Sequence, residues 1–101
     1  MTAHIIFNKI DNKNTVTHSK KVIRIIRNRI KFKNLLISDD LSMKSLKGSL
    51  KINTIKTFKA GCNLALHCNG NFSEMEIVGK NSPLINKFIY QKTSQFYKFL
   101  S

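Results

Sequence analysis

The feature that most constrains this chain is an alternation. Short apolar runs at Ala3 to Phe7, Leu35 to Ile37 and Leu64 to Cys68 are separated by longer stretches with a helical apolar period, and the pattern recurs about every thirty residues. Strands that alternate with helices pair in parallel, because each helix carries the chain back to the end at which the next strand must start. The predicted fold class is therefore α/β, built of three consecutive βα units. With 101 residues the chain forms one small domain, 1–101, with room for a modest core. A hydrophobic content of 42% and a single proline point to a folded chain in spite of a formal charge of +13.

Local chemistry places the element ends. Ser19 can cap a helix over Lys20 to Lys31 in which Val22, Ile23, Ile26 and Ile30 share one face. A second helix is expected from Lys44 or Ser45 to Lys59, with Leu46, Leu50, Ile55 and Phe58 on its buried side and Gly61 as its C-terminal stop. Asn69-Gly70 is a turn signal, and Asn71 with Glu74 three residues later resembles a capping box for a short helix to Val78. Ser82-Pro83 opens a last helix with Leu84, Ile85, Phe88, Ile89, Phe96 and Leu100 as its apolar stripe. Asn8 to Thr17, rich in Asn, Asp, Thr and Lys, is a loop.

In parallel α/β sheets, open or closed, ligands bind where strands end and the following loops begin. At that edge the second apolar run stops on Ser38-Asp39-Asp40, two adjacent carboxylates in a chain with five acidic residues against eighteen basic ones. An aspartate there can cap the next helix, bind magnesium or act in catalysis, and position alone leaves the three open.

The positive charge invites a nucleic-acid reading. Fifteen of the eighteen basic residues are lysine, however, and they are spread along the chain, so solvated faces and no specific nucleic-acid site are the expectation. Cys62 and Cys68 flank the third apolar run; about 20 Å of extended backbone would separate them, too far for a disulfide, and two buried free thiols are expected. Neither Cys-x-x-Cys nor a Cys/His cluster with zinc spacing occurs, so no metal is implied. The start Met1-Thr2-Ala3-His4-Ile5-Ile6-Phe7 lacks the features of a signal peptide, and no apolar run nears the roughly eighteen residues of a membrane span, which leads to a cytoplasmic, non-membrane expectation.

Three words in order carry a resemblance. Ile37-Ser38-Asp39-Asp40-Leu41-Ser42-Met43, then Ala60-Gly61-Cys62-Asn63-Leu64, then Cys68-Asn69 resemble the C-terminal part of family 3 glycoside hydrolases of the β-N-acetylhexosaminidase type, and Met1-Thr2-Ala3-His4-Ile5 resembles that family's sixth barrel strand. The resemblance covers essentially the whole chain. It implies a (β/α)8 barrel of which the three units are strands and helices six to eight, and it assigns the nucleophile of a retaining hydrolase to Asp39. Asp40 and Ser42 then become loop and cap residues, and Met43 a packing residue. It also implies a terminal N-acetylglucosaminide of muropeptide type as substrate, a place in peptidoglycan recycling, and no cofactor.

The sequence departs from that family in one important respect. The family's acid/base histidine, near a Lys-His-Phe-Pro-Gly-type motif, has no counterpart here, and His4, His18 and His67 do not match it. A barrel of this kind takes about 250 residues, so the expectation is a partial barrel, from a split or decaying gene, with little activity alone and with an N-terminal complementary fragment as a conceivable partner. The competing reading is a small basic α/β module that binds nucleic acid through its lysines and uses its aspartates only as caps.

Overall fold

A computed structural model describes residues 1–100, except for the side chains of Phe99 and Leu100. Its elements are helix α1 (Lys20–Asn28), strand β1 (Ile37–Asp40), helix α2 (Leu50–Ala60), strand β2 (Leu64–Leu66), and helices α3 (Phe72–Lys80) and α4 (Lys87–Leu100), with a 3₁₀ turn at Val16–His18. The α/β class holds: β1 and β2 are parallel neighbours joined through α2.

The first expected strand does not form. A single bridge, Thr2 with Ser38, forms just before Ala3 to Phe7, the chain bends at His4, and the carbonyls of Ala3 and Ile5 accept from Thr17 and Val16 instead of from a strand. Ile5, Ile6 and Phe7 are each about half exposed. A strand needs a partner on its edge, and these residues meet a loop where the pattern anticipates a sheet.

Most caps follow from the sequence. Ser19 accepts from the Val22 amide at the start of α1, Asn71 accepts from the Glu74 amide at the start of α3, and Gly61 ends α2 with φ 119°. Gly61 has a second reason to be glycine, since a Cβ there would stand 2.8 Å from Ile23 Cγ2. The capping box of α3 is half formed: the Glu74 carboxylate takes the Asn69 side-chain amide at 2.6 Å, and the Asn71 amide donates to Asn69 Oδ1.

Other boundaries move for visible reasons. α1 stops at Asn28 because the bonding widens from Arg29 N to Ile30 N, both onto Ile25 O, and Lys31 adopts φ 61°; Ile30 is left exposed, off the predicted face. α2 starts at Leu50, since Gly48 takes φ 103° and Ser49 supplies the cap to the Ile52 amide. α4 starts at Lys87, so Leu84 and Ile85 precede it and lie exposed; Ile89 is buried, Phe96 is exposed, and the Leu100 side chain lies outside the described residues.

The core is small and rich in hydroxyls. Ile23, Leu36, Ala60 and Cys62 cluster with Ile26 packed against them. The buried face of α2 is Asn53, Thr54, Thr57 and Ala60, whereas its expected apolar residues Leu50, Ile55 and Phe58 are half-buried. Threonine is tolerated there because Thr54 and Thr57 donate to the carbonyls four residues earlier, at 2.8 and 2.7 Å, and so enter the interior satisfied. Cys62 is buried as expected, its thiol pushed up by burial, but Cys68 is exposed; both are free. No described helix is long and apolar enough to cross a membrane.

Candidate active site

The two aspartates end β1 as strand residues, one step inside the loop where the apolar pattern places them. The ladder is irregular at this point: Ile37 faces Leu64 and Asp40 faces Leu66, so three steps on β1 match two on β2. Ser38, fully buried, closes the gap by accepting the Leu66 amide on its hydroxyl at 3.0 Å. An extra residue of this kind bends the strand and re-aims the side chains that follow, here Asp39 and Asp40.

The neighbouring carboxylates then differ. Asp40 Oδ1 accepts the Ser42 amide at 2.9 Å and the Cys68 amide at 3.0 Å, while its Oδ2 accepts the Ser42 hydroxyl at 2.6 Å. These bonds, the Ser42 hydroxyl first, hold its carboxyl below the ordinary carboxylate range. Asp40 therefore staples the loop after β1 to the loop after β2. That bears out a loop role, but neither Asp40 nor Ser42 caps the next helix, because the loop runs on to Ser49. Asp39 Oδ1 accepts the Asp40 amide at 2.8 Å, and Asp39 Oδ2 has no partner among the described residues. Met43 is exposed and so packs less than expected.

A buried polar seam supports β1 from the N-terminal side. Asp39 N donates to Thr2 O at 3.0 Å, and His4 spans Thr17 Oγ1 at 2.9 Å on Nδ1 and the Asp40 carbonyl at 2.8 Å on Nε2. A carbonyl can only accept, so Nε2 carries the hydrogen, while the Thr17 hydroxyl beside Nδ1 also lies 3.2 Å from the Ala3 carbonyl. Thr2 adds its own hydroxyl, 3.0 Å from that of Thr17. The sequence alone gives His4 no task, since its partners Thr17 and Asp40 lie thirteen and thirty-six positions away.

His18 is likewise structural, with Nε2 at 3.1 Å from the Asn53 carbonyl and its pKa lowered chiefly by burial. His67, just past β2, has a nearly buried ring whose Nε2 stands 3.7 Å from Glu74 Oε1. Neither ring nitrogen has a hydrogen-bond partner. No group of three or more His, Cys, Asp or Glu that could hold a metal occurs among the described residues. An apolar groove of about 570 Å³, lined by Leu35, Ile37, Leu64 and Phe96 among others, begins at the opposite end of the strands from the aspartates.

Residues 1–90 match the sequence pattern of the family described as the glycosyl hydrolase family 3 N terminal domain. Among curated proteins, a beta-hexosaminidase of Nitrosomonas eutropha is 35% identical over 77% of this chain and 23% of its own length. One from Methylobacillus flagellatus is 34% identical over 68% of this chain and 20% of its own. One from Photobacterium profundum is 24% identical over 99% of this chain and 32% of its own. The chain thus spans about a fifth to a third of these relatives. Among solved structures, CbsA from Thermotoga neapolitana superposes with a TM-score of 0.69 and 29% identity, over 80% of this chain and 18% of that one. The chain belongs to glycosyl hydrolase family 3, as part of its N-terminal domain.

Proposed function

We propose that these residues form the nucleophile-bearing part of a retaining β-N-acetylhexosaminidase, with Asp39 as the nucleophile. The observation that carries this reading is the division of labour between the aspartates: Asp40 spends both oxygens on backbone and hydroxyl donors, while Asp39 keeps Oδ2 unpartnered at the carboxyl end of β1. In the reaction Asp39 Oδ2 bonds to the anomeric carbon as the bond to the leaving oxygen breaks, and the leaving oxygen takes a proton from an acid. Water, deprotonated by that same group, then cleaves the glycosyl ester and restores the carboxylate. Retaining chemistry needs the two groups about 5 Å apart.

By the family resemblance the substrate is a terminal N-acetylglucosaminide such as a muropeptide, met in the cytoplasm during peptidoglycan recycling. The frame is three consecutive units of a (β/α)8 barrel, supported by the parallel β1–α2–β2 unit and by the likeness to CbsA. The acid/base motif is absent from these 101 residues, so on their own they should release 4-nitrophenol from 4-nitrophenyl N-acetyl-β-glucosaminide hardly faster than buffer. Turnover abolished by Asp39→Asn would show that the chain supplies its own acid. Turnover that survives Asp39→Asn would remove Asp39 from the reaction.

A further inference from the structure

The helix layer carries a feature for which the glycosidase reading has no use. On α1, Lys20 and Arg24 lie one turn apart, and on α2 so do Lys56 and Lys59; α1 and α2 pack together, and these side chains line two adjoining hollows that share Lys20, Lys59 and Ala60. Lys21 stands at the first of the two, about 280 Å³ in volume against about 330 Å³ for the second. Ile23 and Ala60 belong to the second hollow and to the core, so it reaches down between the helices. Neither helix contains a carboxylate, and none occurs between Asp11 and Asp39 or between Asp40 and Glu74.

Like charges one helical turn apart repel, and surfaces usually intersperse the two signs. Nothing relieves the repulsion here: Lys20, Lys21, Arg24, Lys56 and Lys59 have no hydrogen-bond or ion-pair partner among the described residues. Asp11, the one carboxylate that lines the first hollow, is taken up by its own loop and accepts from Ser19 Oγ at 2.7 Å and from the Lys13 and Asn14 amides. Arg27 at the far end is committed to the carbonyls of Phe32 and Asn34.

We infer that the cationic groove between α1 and α2 binds the phosphodiester backbone of nucleic acid without regard to sequence. Lysines are mobile point charges suited to phosphate oxygens. No Phe, Tyr or Trp lines either hollow, and the one ring that does, His18, is held by the Asn53 carbonyl, so stacking platforms that would confer sequence preference are missing among the lining residues. This site is separate from Asp39 and does not rest on the glycosidase reading.

Fluorescence anisotropy of the chain with short labelled DNA duplexes of two unrelated sequences tests it. Both duplexes should bind alike, and affinity should fall with salt with a log–log slope of about −4, for four to five phosphates neutralised. Lys56→Ala with Lys59→Ala should weaken binding about tenfold and flatten the slope by nearly two, Lys56→Arg with Lys59→Arg should retain it, and Lys44→Ala with Lys47→Ala, an equal charge loss on the distant loop before α2, should change it about twofold at most. Equal losses from both alanine pairs, or no binding at physiological salt, would overturn the groove.

Discussion

The two ends of the β1–β2 sheet are tied by the same device and differ in what it leaves over. At the N-terminal end Asn63 Oδ1 accepts the Leu36 amide at 2.9 Å and the Arg27 guanidinium at 2.7 Å, and Arg27 also reaches the carbonyls of Phe32 and Asn34 and lies near the rings of Phe32 and Phe88. At the C-terminal end Asp40 links the Ser42 and Cys68 amides. In each case one side-chain acceptor bridges the β1 side to the β2 side. The N-terminal clamp spends its acceptor oxygen twice within the fold, whereas the C-terminal one stands beside Asp39, whose Oδ2 has no partner among the described residues. Parallel α/β folds commonly keep stability at one strand end and chemistry at the other, and the proposed nucleophile lies at the end that has the spare oxygen.

Breaking the N-terminal clamp should do the greater damage to the fold. Asn63→Ala strands the Leu36 amide and loosens Arg27, and urea titration should show a loss of about 2–3 kcal/mol. Asn63→Asp, which keeps the acceptor and adds a charge facing Arg27, should stay within about 1 kcal/mol of the parent.

Asp40→Ala should cost less, about 1–2 kcal/mol, since water reaches the freed loop amides. Its signature is the pH dependence. The folded pKa of Asp40 is lowered, so its contribution is complete above the unfolded value near 3.9 and is lost as pH falls through the lower folded one. The parent and Asp40→Ala should therefore differ in stability at pH 7 and converge below pH 4. A constant gap would mean that the carboxylate charge is not what binds the two loops.

What the sequence reveals follows the range of the interactions. Ser19, Gly61 and Asn71 act on amides or dihedrals within three residues of themselves, and each is found where local chemistry puts it. The site edge was legible too, because strand ends collect loops whatever the rest of the fold does. Longer-range features were not. The Ala3 to Phe7 run has a strand's composition and lacks a strand's neighbours, and the inward face of α2 can hold Thr54 and Thr57 because their hydroxyls are satisfied along their own helix. That Asp40 is the stapled carboxylate and Asp39 the free one depends on Cys68, twenty-eight positions away from Asp40, and on a ladder irregularity that no periodicity announces.

The central claim is that Asp39, and not its neighbour, attacks the sugar. A leaving group that departs without protonation bypasses the missing acid, so the chain should be incubated with 2,4-dinitrophenyl N-acetyl-β-glucosaminide, quenched, digested and mapped by mass spectrometry. The account predicts an N-acetylhexosaminyl ester on Asp39, formed as dinitrophenolate leaves, and neither ester nor release in Asp39→Asn. An ester on Asp40, or dinitrophenolate release undiminished in Asp39→Asn, would contradict it.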